Sequence, residues 1–168
     1  MTLSAESRER LARSQAEFVA AMLAVDGRAP ESFDPTHWQA AATALATKRR
    51  RSAARAWPAL VESLGDEFER LWTEFAAAHD LPASGGPLAD GFFFAKWLMS
   101  HRSLSDKARR ELLSVELQHQ PCAEGLKPRR RPTVRVARLS ESRRWVLAAR
   151  LPWLGPFWWE FPPSRHSS

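Results

Sequence analysis

Pro121 to Leu151 reads PCAEGLKPRRRPTVRVARLSESRRWVLAARL, and the change of period inside this stretch decides the fold. Its first part, Pro121 to Pro132, holds three prolines, one glycine and the run Arg129-Arg130-Arg131, the composition of a linker. Thr133 to Leu139 and Arg143 to Leu151 are alternating or β-branched and are joined by Ser140-Glu141-Ser142, so they are expected to form a hairpin. Phe157 to Phe161, bounded by Pro156 and Pro162, is expected to add a third short strand. A sheet of that size is not stable alone and needs cover on one face, from the rest of the chain or from a partner.

Upstream of Pro121 the period is helical. Residues 4–26 read as an amphipathic helix with Leu11, Phe18, Met22 and Val25 on one face, stopped by Asp26-Gly27 and followed by a loop to Phe33. Asp34 is a good N-cap and Pro35 a good first helical residue; that helix should reach about Ala56, because Pro58 disfavours helix at Trp57. A short helix from Pro58 ends at Gly65. Asp66 is expected to cap the next, whose stripe is Phe68, Leu71, Trp72 and Phe75 and which ends near His79. Leu81 to Pro87 reads as a loop and Leu88 to His101 as a Phe-rich helix. Ser105 should cap the last helix, with Ala108, Leu112 and Val115 inward and Lys107, Arg109 and Arg110 outward. The expectation is an α+β protein: an all-α domain over 1–122, a linker over 123–132 and a small three-stranded antiparallel β-sheet domain over 133–168.

The composition is globular: 168 residues, 44% apolar and 26% charged. The longest apolar run, Phe18 to Val25, falls far short of the roughly 20 residues of a membrane span. With Arg8, Glu9 and Arg10 before that run and no small-residue cleavage site after it, no secretory signal is expected, and the chain reads as cytoplasmic. The single cysteine, Cys122, excludes an internal disulfide framework and a cysteine-based zinc site. Charge is uneven. Residues 1–126 hold 15 basic and 17 acidic side chains, whereas 127–150 hold nine basic and one acidic. Such an asymmetry points to an acidic or polyanionic partner for that segment. Four of the eight Trp (Trp145, Trp153, Trp158, Trp159) also fall in the last 24 residues, which suits either a small core or a binding surface.

Catalytic patterns are missing from the sequence. It has no phosphate-cradling Gly-rich loop, no Gly-x-Ser-x-Gly and no His-Glu-x-x-His. His119 and Cys122 are three apart with no second pair, a poor zinc pattern, and Asp66, Glu67 and Glu69 read as helix-start acids. No enzymatic activity, bound metal or cofactor is expected of the chain itself. In Lys48-Arg49-Arg50-Arg51, four consecutive helical residues wrap most of the way round, but Lys48, Arg51 and Arg55 share a stripe. Ala53, Ala54 and Ala56 beside it suit packing better than base reading.

Lys48-Arg49-Arg50-Arg51-Ser52-Ala53-Ala54-Arg55-Ala56-Trp57-Pro58, then Leu60, the Ser63-Leu64-Gly65 turn, and Phe68 with Phe75, resembles the HvfC/BufC N-terminal domain family. The likeness runs on through Pro82 to Gly86, Phe94 to Leu98 and Leu112 to Leu117 with Glu116, and spans about residues 8–118. Trp57 stands where Phe is commoner, and the basic run is heavier than the family's. The resemblance implies a partner subunit, in a heterodimer, of a barrel-type multinuclear non-haem iron oxidative enzyme that modifies ribosomally made precursor peptides, often at Cys. The methanobactin pathway has a partner of this kind, with a helical domain followed by a small β-domain. In such a system the iron sits in the enzyme and the partner holds the leader of the precursor. The family has also carried a DNA-binding description, so a DNA-binding or regulatory protein using the basic helix and the basic C-terminal segment is the alternative. On the first reading Arg135, Val136, Arg138, Trp145, Trp158 and Trp159 are the expected leader contacts, and Lys48, Arg51 and Arg55 the expected contacts to the enzyme.

Overall fold

The computed structural model describes residues 6, 8–10, 12–13, 34–151 and 153–162. Those described between 6 and 13 are helical, while Leu11, Phe18, Met22 and Val25, with the expected loop to Phe33, lie outside the described residues. From Asp34 the chain runs α1 (Pro35–Ala56), α2 (Pro58–Leu64), α3 (Glu67–Ala78), α4 (Gly86–His101) and α5 (Asp106–Gln118). Then follow β1 (His119–Cys122), β2 (Gly125–Pro128), β3 (Thr133–Arg138), β4 (Trp145–Leu151) and β5 (Gly155–Phe161). β1 and β2 make one antiparallel sheet, and β3-β4-β5 make the other in chain order. The fold class is therefore α+β.

Local chemistry sets the helix ends. The Asp34 carboxylate accepts from the Thr36 and His37 N–H groups and Pro35 follows, so α1 starts where an N-cap and a missing N–H coincide. Trp57 separates α1 from α2 with no side-chain cap of its own; instead Glu111 of α5 accepts from the Ala59 N–H at 3.1 Å and the Leu60 N–H at 2.8 Å. A carboxylate from across the fold thus satisfies the orphan donors of a helix only seven residues long. Ser105 Oγ accepts from the Ala108 N–H at the start of α5. Asp66 precedes α3 but makes no capping bond: its backbone is already helical, so its side chain is not aimed at the following N–H groups.

The helical core gathers on α4. Trp57, Leu60, Phe75, Phe94, Leu98 and Leu112 are almost wholly buried in it. The Trp57 indole N–H donates to the Leu88 carbonyl at 3.1 Å, which satisfies the polar end of a fully buried Trp.

The stretch 123–132, expected as a linker, contains β2, and β1 with β2 forms a hairpin that belongs to the helical part. Leu126 is buried in the helical core. The Ser84 N–H donates to the Glu124 carbonyl at 2.7 Å, tying the hairpin to the α3–α4 loop. Gly125 is needed there: its φ is 140°, and a Cβ would come within 2.0 Å of the Ser84 carbonyl oxygen. The prolines misled because they were read as breakers. The Arg129 N–H donates to the Gln118 carbonyl, so alternation along the ladder turns the backbones of Pro121 and Pro128 outward. No ladder bond is lost at either position.

Candidate functional site

β3, β4 and β5 lie in register Val134↔Ala149, Val136↔Leu147 and Arg138↔Trp145, then Trp145↔Phe161, Leu147↔Trp159 and Ala149↔Phe157. Side chains alternate across a sheet, so these residues share one face. The other face carries Ala137, Leu139 and Val146, which pack with Leu113 of α5 in a small second core. A carboxylate clasp fixes that contact. Asp106, at the start of α5, accepts from the Glu141 and Ser142 N–H groups at 3.0 Å each, while the Glu141 carboxylate accepts from the Asp106 N–H at 3.0 Å. Burial works against charge on Asp106, but hydrogen bonds from Ser142 and from the Glu141 N–H outweigh it and hold the carboxyl below its usual pKa. Glu160 of β5 pairs with both Arg110 of α5 and Arg144.

The first face is covered by nothing among the described residues. Val134 is 57% exposed, Val136 56%, Trp159 48% and Phe161 49%. Trp145, Phe157 and Leu151 are exposed beside them, and Phe157 stacks on Trp159 with ring centroids 6.1 Å apart. Monomeric proteins seldom leave a contiguous apolar surface of this kind without a use for it. Cations border it. Of the basic side chains over 127–150, Lys127, Arg130, Arg131, Arg138 and Arg143 have no acidic partner among the described residues. Arg135 reaches only its neighbour, donating to the Val134 carbonyl at 3.1 Å. Arg129 and Arg150 are spent on backbone carbonyls, of Glu116 and His119 and of Arg129 respectively.

The expected leader contacts are therefore divided by the sheet. Val136, Arg138, Trp145 and Trp159 share the open face. Arg135 and Trp158 stand on the face toward α5, Arg135 at its rim and Trp158 still 38% exposed. Val134, Phe157 and Phe161 belong to the open face and were missed; the alternation of 133–138 and the Phe-x-Trp-x-Phe of β5 carry the signal for them.

The basic run on α1 also divides. Arg49 is bidentate to Asp90, with both contacts at 2.7 Å, and its guanidinium reaches the His79 carbonyl. Arg50 pairs with Glu69. Lys48, Arg51 and Arg55 are exposed, and none of the three has an ion pair or side-chain hydrogen bond among the described residues. A groove of about 450 Å³ opens beside this run between α1 and α3, over Trp72, Ala42, Ala46 and Ala76. Of its polar members, Arg49, Arg50 and His79 are engaged within the fold, His79 through Nδ1 with the Phe75 carbonyl.

His119 and Cys122 sit at the two ends of β1, and residues three apart on a strand point to opposite faces. No group of three or more His, Cys, Asp or Glu among the described residues is placed to hold a metal ion. No helix among them is long and apolar enough to cross a membrane.

Residues 12–100 match the family described as SCO6045-like, C-terminal domain. No curated protein and no solved structure matches. The matched span holds α1 to α3 and α4 as far as Ser100, and it stops before α5 and both sheets. It takes in more than half of the 168 residues, so the chain belongs to the SCO6045-like, C-terminal domain family.

Proposed function

We propose that the chain is a non-catalytic recruiting subunit. It captures an extended peptide, the leader of a ribosomally synthesised precursor, on the β3-β4-β5 sheet and presents it to a multinuclear non-haem iron oxidative enzyme in the cytoplasm. The observation that carries the peptide part is the open sheet face with its rim: among the described residues, apolar side chains, free strand edges and arginines without acidic partners occur together. Strand addition uses these features, since main-chain hydrogen bonds give register and alternate side chains give choice. The identity of the enzyme rests on the resemblance of residues 8–118 to the HvfC/BufC N-terminal domain family. The chain itself would hold no iron. Holding the leader raises the effective concentration of the rest of the precursor at the enzyme's metal centre. Lys48, Arg51 and Arg55 form a separate exposed cationic stripe on α1, suited to an acidic surface of the enzyme.

Co-expression with a barrel-type iron oxidase and a Cys-containing precursor encoded beside the gene should yield a stable complex of the three. An oxidase that modifies the precursor at an undiminished rate without this chain would sink the reading. Reversing Arg135 and Arg138 to Glu should weaken leader binding while leaving the folded state intact, and unchanged binding would remove them from the site. The DNA-binding alternative predicts a band shift with duplex DNA at low salt that fades steeply as salt rises.

A further inference from the structure

Among the described residues the sheet has two free edges, β3 and β5, and backbone alternation makes them unequal. The Leu139 N–H donates to the Arg144 carbonyl at 2.8 Å, and the register places these two residues opposite each other. In an antiparallel pair the bonded positions alternate. Residues 133, 135, 137 and 139 therefore turn their backbones toward β4, and Val134, Val136 and Arg138 turn theirs outward. The bond from Arg135 to the Val134 carbonyl, made at the rim, agrees with that direction. Carried across β4, the same alternation turns Pro156, Trp158 and Glu160 outward on β5, followed by Pro162. The β5 rim thus keeps two N–H donors between two prolines, a common way of closing an edge. The β3 rim keeps three donors in a row.

Charge separates the edges in the same direction. Arg135 and Arg138 stand on β3, with Arg130 and Arg131 just before it, whereas β5 carries Glu160. That charge also decides between occupants. A second copy pairing through β3 would bring two sets of these arginines together, and like charges facing one another across strands are destabilising. An acidic chain meets no such cost.

We infer that the β3 edge is the acceptor edge, and that it takes an antiparallel peptide of defined chemistry. Antiparallel addition is the slightly more stable pairing. From its N-terminal side the peptide carries an acidic residue opposite Arg138, any residue opposite Ala137, an apolar residue opposite Val136, an acidic residue opposite Arg135 and an apolar residue opposite Val134. The two apolar residues continue the open face beside the half-exposed valines, and the acids answer two arginines that have no acidic partner among the described residues. This rests on the peptide-recruiting reading and adds the edge, the direction and the sequence chemistry.

The test uses a fluorescein-labelled decapeptide with Asp, Ser, Val, Asp and Val at its centre, and a twin with Lys for Asp, measured by anisotropy on the full chain. Val136→Pro and Trp158→Pro each delete one outward N–H and leave the ladder bonds to β4 in place; with the peptide on the β3 edge, Trp158, two strands away on the face toward α5, falls outside the peptide contacts. Val136→Pro should cost about tenfold in affinity, the loss of one main-chain bond, and Trp158→Pro should stay within about twofold. In case a proline variant fails to fold, Arg138→Glu gives a second reading. It should weaken the parent peptide and bind better to a peptide with Lys in place of the first Asp. Loss on Trp158→Pro with Val136→Pro unaffected would overturn the edge assignment and leave peptide recruitment standing. Equal binding of the Asp and Lys peptides would overturn the chemistry. Binding of neither peptide at low salt would sink both this inference and the recruiting role.

Discussion

Asp90 and Gly91, neighbours in α4, carry constraints that a helix alone does not impose. Asp90 is 1% exposed and holds Arg49 by two contacts. Taking away one partner of a buried pair strands the other charge, so Asp90→Ala should lower unfolding stability by about 3–5 kcal/mol, read as a fall in the urea midpoint. At Gly91 a Cβ would lie 2.1 Å from Trp57 Cδ1, and that indole is buried and hydrogen-bonded. Gly91→Ala should therefore destabilise by about 1–3 kcal/mol through overpacking, although alanine is the better helix former. A midpoint equal to or above the parent's would show that Trp57 can move aside. Neither constraint was legible in the sequence. In the sequence Asp90 carries no signal of its own and Arg49 is one of a run of four cations, because the two partners lie 41 positions apart.

Among the elements, α5 joins the two parts of the protein. Its Glu111 caps α2, its Leu112 enters the helical core, its Leu113 packs on the sheet, and its first residue clasps the β3–β4 turn. Replacing Asp106 with Asn removes the charge that the Glu141 and Ser142 N–H groups serve, and should cost about 1–3 kcal/mol at neutral pH. The pH dependence has a definite sign. The Asp106 pKa is lowered in the fold, so its contribution is fully present above the unfolded value of about 3.9 and is lost as pH falls through the folded one. The gap between parent and Asp106→Asn should be constant from pH 7 down to about 5 and should close only in stronger acid, measured by denaturant titration at each pH. A gap already closing near pH 6 would mean that another group governs the clasp.

Across the whole molecule the charge is sorted. The helical part is near balance, its acids paired with many of its bases, while the sheet region keeps an excess of arginine beside an apolar face. Binding of an acidic peptide should therefore weaken as salt rises from 50 to 500 mM, because exposed charges more than about 10 Å apart are screened at 0.1 M and above. It should not vanish, because the backbone bonds and the apolar contacts remain. Affinity independent of salt would show that the arginines stand outside the interface.

The sequence by itself determined the elements whose signals are local. Asp34-Pro35, the Trp57-Pro58 step, Gly65 and Ser105 bound their helices within the chain's own few residues, and the switch to a period of two at Thr133 announced the strands. Tertiary structure alone decided which side of those strands is covered. In β3 the polarity rule would turn Val134 and Val136 inward and Thr133 and Arg135 out. Instead Thr133 and Ala137 are buried and Val134 and Val136 are open. The reason is packing across the chain: Leu113 of α5 meets Ala137, Leu139 and Val146, and the period of two then commits every other side chain of the sheet to the opposite face. The hairpin at 119–128 was hidden for a related reason. Its prolines fall where the ladder needs no donor, and only the pairing partner reveals which positions those are.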